Sequence, residues 1–154
     1  ATYQHYAERV AEINDLVALD ESTKLERFEI DELRSLVLIN DDVNFTAMSL
    51  PIEFQYSSVN DILLEDINKD GIIDILTGGN MLYTHINLGR LDGDYGSLAF
   101  GRGDGTFEYI QNDKSGLMVK GQVSKVNKIL IGNNVNYVFA INNDSIQFYQ
   151  LRRE

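Results

Sequence analysis

The chain reads as an all-β protein with one N-terminal helix, organised as part of a β-propeller. Three observations lead there. Short runs of β-branched and aromatic residues recur between clusters of Gly, Asn and Asp from residue 28 onward. Two pairs of segments repeat internally. The repeating unit holds four short strands, the content of one propeller blade.

The first stretch carries helical periodicity: Tyr6, Val10, Ile13 and Val17 fall on one face, with Glu8, Arg9, Glu12 and Asp15 mostly elsewhere. Thr2 suits its N-cap, and Asp20 to Thr23 form a polar break. Residues 1–24 are thus a helix and connector, and residues 25–154 the blades. Phe28 and Ile30 then alternate with charged neighbours. Strands are predicted at Leu36 to Ile39, Phe45 to Leu50, Val59 to Leu64, Ile72 to Thr77 and Leu98 to Phe100. Others follow at Thr106 to Ile110, Val123 to Ile131, Tyr137 to Ile141 and Ile146 to Leu151.

Ser35 to Phe45 aligns without a gap to Ser97 to Phe107, with Ser, Leu, Asp and Phe identical. Val59 to Asn80 aligns to Val123 to Asn143, one residue shorter. The chain therefore reads as half a unit (35–50), a whole unit (59–110) and most of a third (123–151). A closed ring of four or more blades needs about sixteen strands, and roughly ten are offered here. The expectation is a partial propeller, its open edges covered by the remaining blades of a larger ring, by the helix or by a second copy.

Composition narrows the function. With 13 Lys+Arg against 24 Asp+Glu, the net charge of −11 disfavours nucleic acid and anionic lipid as partners and favours hard cations. No cysteine is present, so disulfides, thiolate metal sites and cysteine nucleophiles are excluded. No apolar run is long enough to span a membrane.

The strongest chemical signal is Asp66-Ile67-Asn68-Lys69-Asp70-Gly71-Ile72-Ile73-Asp74. Oxygen side chains stand at loop positions one, three, five and nine, with Gly71 at six to permit the sharp bend. Asp66, Asn68, Asp70 and Asp74 can ligate one cation through their side chains, and Ile72 through its carbonyl. Three carboxylates and an irregular loop suit Ca²⁺ better than Mg²⁺. An EF-hand would place Glu at position twelve, where Thr77 stands, and would flank the loop with helices rather than strands. The same residues also suit an acidic Asx-turn hairpin that binds nothing. The matching segment of the third unit, Gly132 to Asn136, has no carboxylate, so no ion is expected there.

Asp66-x-Asn68-x-Asp70-Gly71-x-x-Asp74 followed by Ile75-Leu76 resembles the calcium loop of FG-GAP/VCBS repeats, the blades of integrin-alpha-like propellers. Gly103-Asp104-Gly105-Thr106-Phe107 resembles the hairpin of the VCBS type. The order of segments over about residues 25 to 151 resembles the C-terminal portion of bacterial UnbV/ASPIC-like VCBS repeat proteins. Gly78-Gly79-Asn80, Gly89 to Asp92, Tyr95-Gly96 and Ala140 to Asp144 have counterparts there. The resemblance implies a seven-bladed parent propeller that binds calcium without catalysis and is secreted, periplasmic or held on the outer bacterial surface. Asn40 to Phe45 departs from the hairpin pattern by lacking both glycines.

The long connection from Met81 to Gly96 carries Tyr83, His85, Arg90, Asp92, Asp94 and Tyr95, a mixture suited to a protein or glycan ligand. The same loop also suits packing within the blade. Arg102-Gly103-Asp104 spells an adhesion tripeptide, but a tight turn demands those residue types anyway. Asn44-Phe45-Thr46 and Asn143-Asp144-Ser145 match the glycosylation pattern, which matters only in a eukaryotic host. No nucleophile elbow, His-Glu-x-x-His or phosphate-cradling loop occurs, so the expected activity is binding, not catalysis. The alternative is a glycan-active hydrolase or lyase using Asp92 and Asp94.

Overall fold

A computed structural model describes residues 29–84, 87 and 89–151 of the chain. The helix expected over residues 1–24 and Phe28 lie outside the described residues. Ala1–Leu33 and Arg34–Glu154 are separate compact units; all that follows concerns the second.

This unit holds nine strands in three antiparallel sheets. The first pairs β1 (Leu36–Asn40) with β2 (Phe45–Ser49). The second orders β3 (Val59–Glu65), β4 (Asp74–Gly79), β5 (Ser97–Gly101) and β6 (Phe107–Ile110) side by side. The third orders β7 (Val123–Ile131), β8 (Asn134–Ile141) and β9 (Gln147–Gln150). Among the described residues helix is confined to a 3-10 turn at Ile52–Gln55 and one turn at Asn112–Ser115, neither signalled by periodicity. No strand forms at Ile30, which is exposed. The strand expected from Ile72 begins at Asp74 instead, because Ile72 and Ile73 still belong to the acidic loop.

The middle sheet is buried between the other two. On one face Ile75 and Ala99 pack with Leu50 and Phe54, with Val37, Phe107 and Tyr109 around them. On the other, Leu76 and Leu98 join Val123, Val126, Tyr137 and Phe139 of the third sheet, with Leu117 and Val119 from the connection between them. Strand pairing explains the division. Leu63, Leu76, Leu98 and Ile110 stand opposite one another across all four strands, and Leu64, Ile75, Ala99 and Tyr109 form the next row on the reverse face. All six residues of β4 are buried, the run expected of a strand covered on both faces. Each fully buried Leu or Phe contributes about 1.5–3 kcal/mol, so these rows hold the sheets together.

The repeats are real in three dimensions but differ from their sequence alignments. β3 and β7 each carry a bulge one residue after their first pair, between Val59 and Asp61 and between Val123 and Lys125. Gly78 pairs with Asp61 as Ala140 pairs with Lys125. Counting from these pairs, the connection in the third sheet is two residues shorter, not one. It ends in a two-residue turn at Gly132 and Asn133, with glycine at the left-handed first position such a hairpin favours. The first hairpin also departs. Asn40 pairs with Phe45, whereas Gly101 pairs with Phe107, so its loop has one residue fewer than the gap-free alignment requires. The structural counterpart of Leu98 is therefore Val37, not Leu36. Only Asp42 is left-handed there (φ 71°), where the longer loop uses both Gly103 and Gly105. The Asp41 carboxylate accepts from the Asn44 N–H (2.6 Å) and replaces the missing glycine geometry with an Asx turn.

Candidate functional site

The acidic loop joins β3 to β4 and is closed by its own amides. Asp66 Oδ1 accepts from the Asp70 N–H and Oδ2 from the Gly71 N–H, both at 3.0 Å. Asn68 Oδ1 also accepts from the Asp70 N–H (3.0 Å), and its Nδ2 donates to Asp70 Oδ2 (2.9 Å). Asp70 Oδ1 accepts from the Ile72 N–H (2.8 Å). The loop thus gathers the oxygens of Asp66, Asn68 and Asp70 within one turn. Two left-handed residues bend the chain there, Gly71 (φ 88°) and, unusually for a side chain with a Cβ, Lys69 (φ 66°).

Asp74 behaves differently from its partners in the pattern. It is fully buried, Oδ2 accepts from the N–H groups of Ile67 (2.8 Å) and Asn68 (3.3 Å), and Oδ1 from the Gly101 N–H (3.0 Å). It ties the loop to the end of β5. A carboxylate oxygen accepts two bonds, so Oδ1 retains one lone pair for a further ligand. Asn136, also buried, takes the corresponding place in the third sheet. The donor set fits a hard cation in chemistry, being all oxygen with three carboxylates. Among the described residues, no group of three or more His, Cys, Asp or Glu is drawn together as metal ligands.

The connection from β4 to β5 divides in two. Met81 and Leu91 pair their backbones (2.8 and 3.0 Å), so the segment between them projects as a narrow loop. Tyr83 on it is exposed, as are Arg90 and Asp92 beside its base, whereas His85 lies outside the described residues. Tyr95 is half-exposed. Asp94 turns inward: its Oδ1 accepts from Ser97 Oγ (2.8 Å), and the carboxylate is further bonded by the N–H groups of Gly96 and Gly79. Burial raises its pKa above the ordinary value in spite of those bonds. The loop does not present Asp92 and Asp94 as equivalent groups.

Several polar side chains were missed by motif reading. Asn80, buried and left-handed (φ 76°), donates to the carbonyls of Asp94 (2.7 Å) and Gly121 (3.0 Å) and accepts from the Asp94 N–H (3.0 Å). Asn60, at the bulge of β3, donates to the carbonyls of Asn80 and Val123, both at 2.8 Å. Asp61 accepts from Lys125 Nζ and from the Val126 N–H, both at 2.7 Å. Burial works to raise the Asp61 pKa, but these donors outweigh it and hold the carboxyl below its usual range. Glu65 and Lys128 form a second ion pair between the same strands. The signal was the Gly78-Gly79-Asn80 run. A Cβ at Gly78 would lie 2.6 Å from Val123 Cγ1, and one at Gly79 would lie 1.9 Å from the Ser58 carbonyl oxygen. These glycines let β4 approach its neighbours closely, and Asn80 satisfies the backbone groups where the strand ends.

Arg102-Gly103-Asp104 forms the β5–β6 turn. Asp104 accepts from Thr106 Oγ1 (2.5 Å) and its N–H (2.9 Å), and Arg102 pairs with Glu108 (2.8 Å). The tripeptide is accounted for by turn chemistry. No helix among the described residues is long and apolar enough to cross a membrane. Comparison with protein-family models, curated proteins and solved structures finds no match.

Proposed function

We propose that the chain is a calcium-stabilised segment of a β-propeller whose exposed loop binds a protein or glycan partner without turning it over. The observation that carries this reading is the loop from Asp66 to Asp74. Its oxygens gather within one turn, and Lys69 is held in a backbone conformation costing about 1–3 kcal/mol, the kind of strain that clusters at ligand sites. Asp66, Asn68 and Asp70 would hold the ion with the Ile72 carbonyl, and Asp74 would add its free lone pair. A bound Ca²⁺ would supply fixed positive charge that pins the β3–β4 connection. The propeller reading is supported by three stacked antiparallel sheets of two, four and three strands with the same bulge in β3 and β7. It places the remaining blades elsewhere, in a secreted, periplasmic or surface-held bacterial protein of the FG-GAP/VCBS kind.

Binding is favoured over catalysis because Asp94 is engaged by Ser97 and by backbone amides, which leaves Asp92 without an acid partner. Tyr83, Arg90, Asp92 and Tyr95 supply aromatic and charged contacts for the ligand. Calorimetric titration with Ca²⁺ and Mg²⁺ tests the ion: saturable Ca²⁺ binding that Asp70→Ala removes supports the reading, and no heat with either ion contradicts it. Glycan and peptide arrays test the loop, where retention that Tyr83→Ala weakens is expected. Release of new reducing ends would favour the hydrolase or lyase instead.

A further inference from the structure

The two-stranded first sheet leaves one defined slot open. Its strands correspond to β5 and β6: Val37–Met48 matches Leu98–Ile110, and Asn40–Phe45 matches Gly101–Phe107. β5 is paired on both sides, by β4 and β6. Among the described residues no strand pairs with the edge of β1 away from β2. The same shortfall shows on β3. Ile62 and Leu64 face the first sheet's side of the stack, yet they are 51% and 60% exposed. The third-sheet counterpart of Ile62 is Val126, which β3 covers and leaves only 3% exposed. The first sheet ends before it reaches β3.

We propose that the β1 edge and the Ile62–Leu64 strip form one docking slot for an antiparallel β-hairpin with apolar residues at alternate positions. One hairpin strand adds to β1 as β4 adds to β5. The other lies over Ile62 and Leu64 as β3 lies over Val126. The occupant follows from an interface the chain already builds once: Leu63 and Leu76 stand opposite each other and present the row that packs on the next sheet. β-strand addition supplies affinity through main-chain bonds and selectivity through alternate side chains. The inference rests on the repeat geometry and not on the calcium reading.

The probe is a labelled peptide of residues Val59 to Asn80, the chain's own hairpin of this type, titrated against the full chain in calcium and in EDTA. Expected are saturable one-to-one binding and slowed amide exchange at Leu36–Asn40 on peptide addition. Leu64→Glu in the chain, or Leu63→Glu in the peptide, weakens binding by about tenfold or more, the loss expected for one buried leucine. Leu64 is already exposed, so the chain variant melts with the parent protein. The proposal is overturned by no saturable binding in either condition. It is also overturned by binding that ignores Leu64→Glu, or by protection of β1 through concentration-dependent self-association without peptide, which would make a second copy the occupant. Binding without any calcium effect sustains the slot while contradicting the calcium reading.

Discussion

Asp74 Oδ1 accepts a hydrogen bond from the Gly101 N–H at 3.0 Å, across the pair of strands that forms the centre of the middle sheet. One carboxylate thus joins the acidic loop to the β5–β6 turn, and its two oxygens serve three backbone donors. Asp74→Ala leaves those donors without a partner in a buried place. We expect a loss of about 3 kcal/mol or more, from a desolvation cost of about 1–3 kcal/mol per orphaned group. The loss is expected in EDTA as well as in calcium, read by denaturant unfolding. Asp70→Ala in EDTA should cost under about 1 kcal/mol, because Asp70 is exposed and water replaces its bonds. Equal losses for the two variants in EDTA would contradict the division of labour between them.

Gly78 and Gly79 make separable predictions. A Cβ at Gly78 meets the flexible side chain of Val123, whereas one at Gly79 meets the Ser58 backbone. Both alanine variants should destabilise by about 1–3 kcal/mol, the cost of overpacking, with Gly79→Ala the larger. Val123→Ala should offset part of the Gly78→Ala loss and none of the Gly79→Ala loss. A double-mutant cycle reads the difference as a coupling energy.

Asp94 gives the pH dependence a sign. Burial raises its folded pKa above the unfolded value near 3.8, so the folded state holds the proton more tightly. Its contribution to stability is present below about pH 3.8 and is lost as pH rises through the folded value. Asp94→Asn should remove that descending component from a plot of melting temperature against pH. Asp61, whose folded pKa is lowered, works in the opposite sense: stability present above its ordinary value is lost as pH falls. An unchanged profile for Asp94→Asn would show that the group titrates alike folded and unfolded.

The strands were legible because their alternation and turn residues are local properties. Val123–Ile131 was read to the residue, since polar and apolar neighbours alternate up to a Gly-Asn turn. Register was not legible. The identical Ser, Leu, Asp and Phe of the first repeat suggested a gap-free match, yet Asp42 closes its loop with one residue fewer, and a one-residue slip moves every side chain to the other face. Asp66, Asn68 and Asp70 were brought together as their spacing suggested, because loop neighbours need no tertiary information. Asp74 and Asp94 were not, because their partners Gly101, Ser97 and Gly79 lie on other strands. The links between Asn60 and Val123 and between Asp61 and Val126 span 63 and 65 residues, a separation no motif encodes.

The most direct test of the account is a thermal melt of the full chain in calcium, in magnesium and in EDTA, beside Asp70→Ala. At a calcium concentration 100-fold above the dissociation constant, binding adds about 2.7 kcal/mol to stability. The account predicts a rise in melting temperature with calcium that magnesium does not match and that Asp70→Ala abolishes. The same melting temperature in all three conditions would contradict it and leave Asp66 to Asp74 an acidic turn held by its own amides.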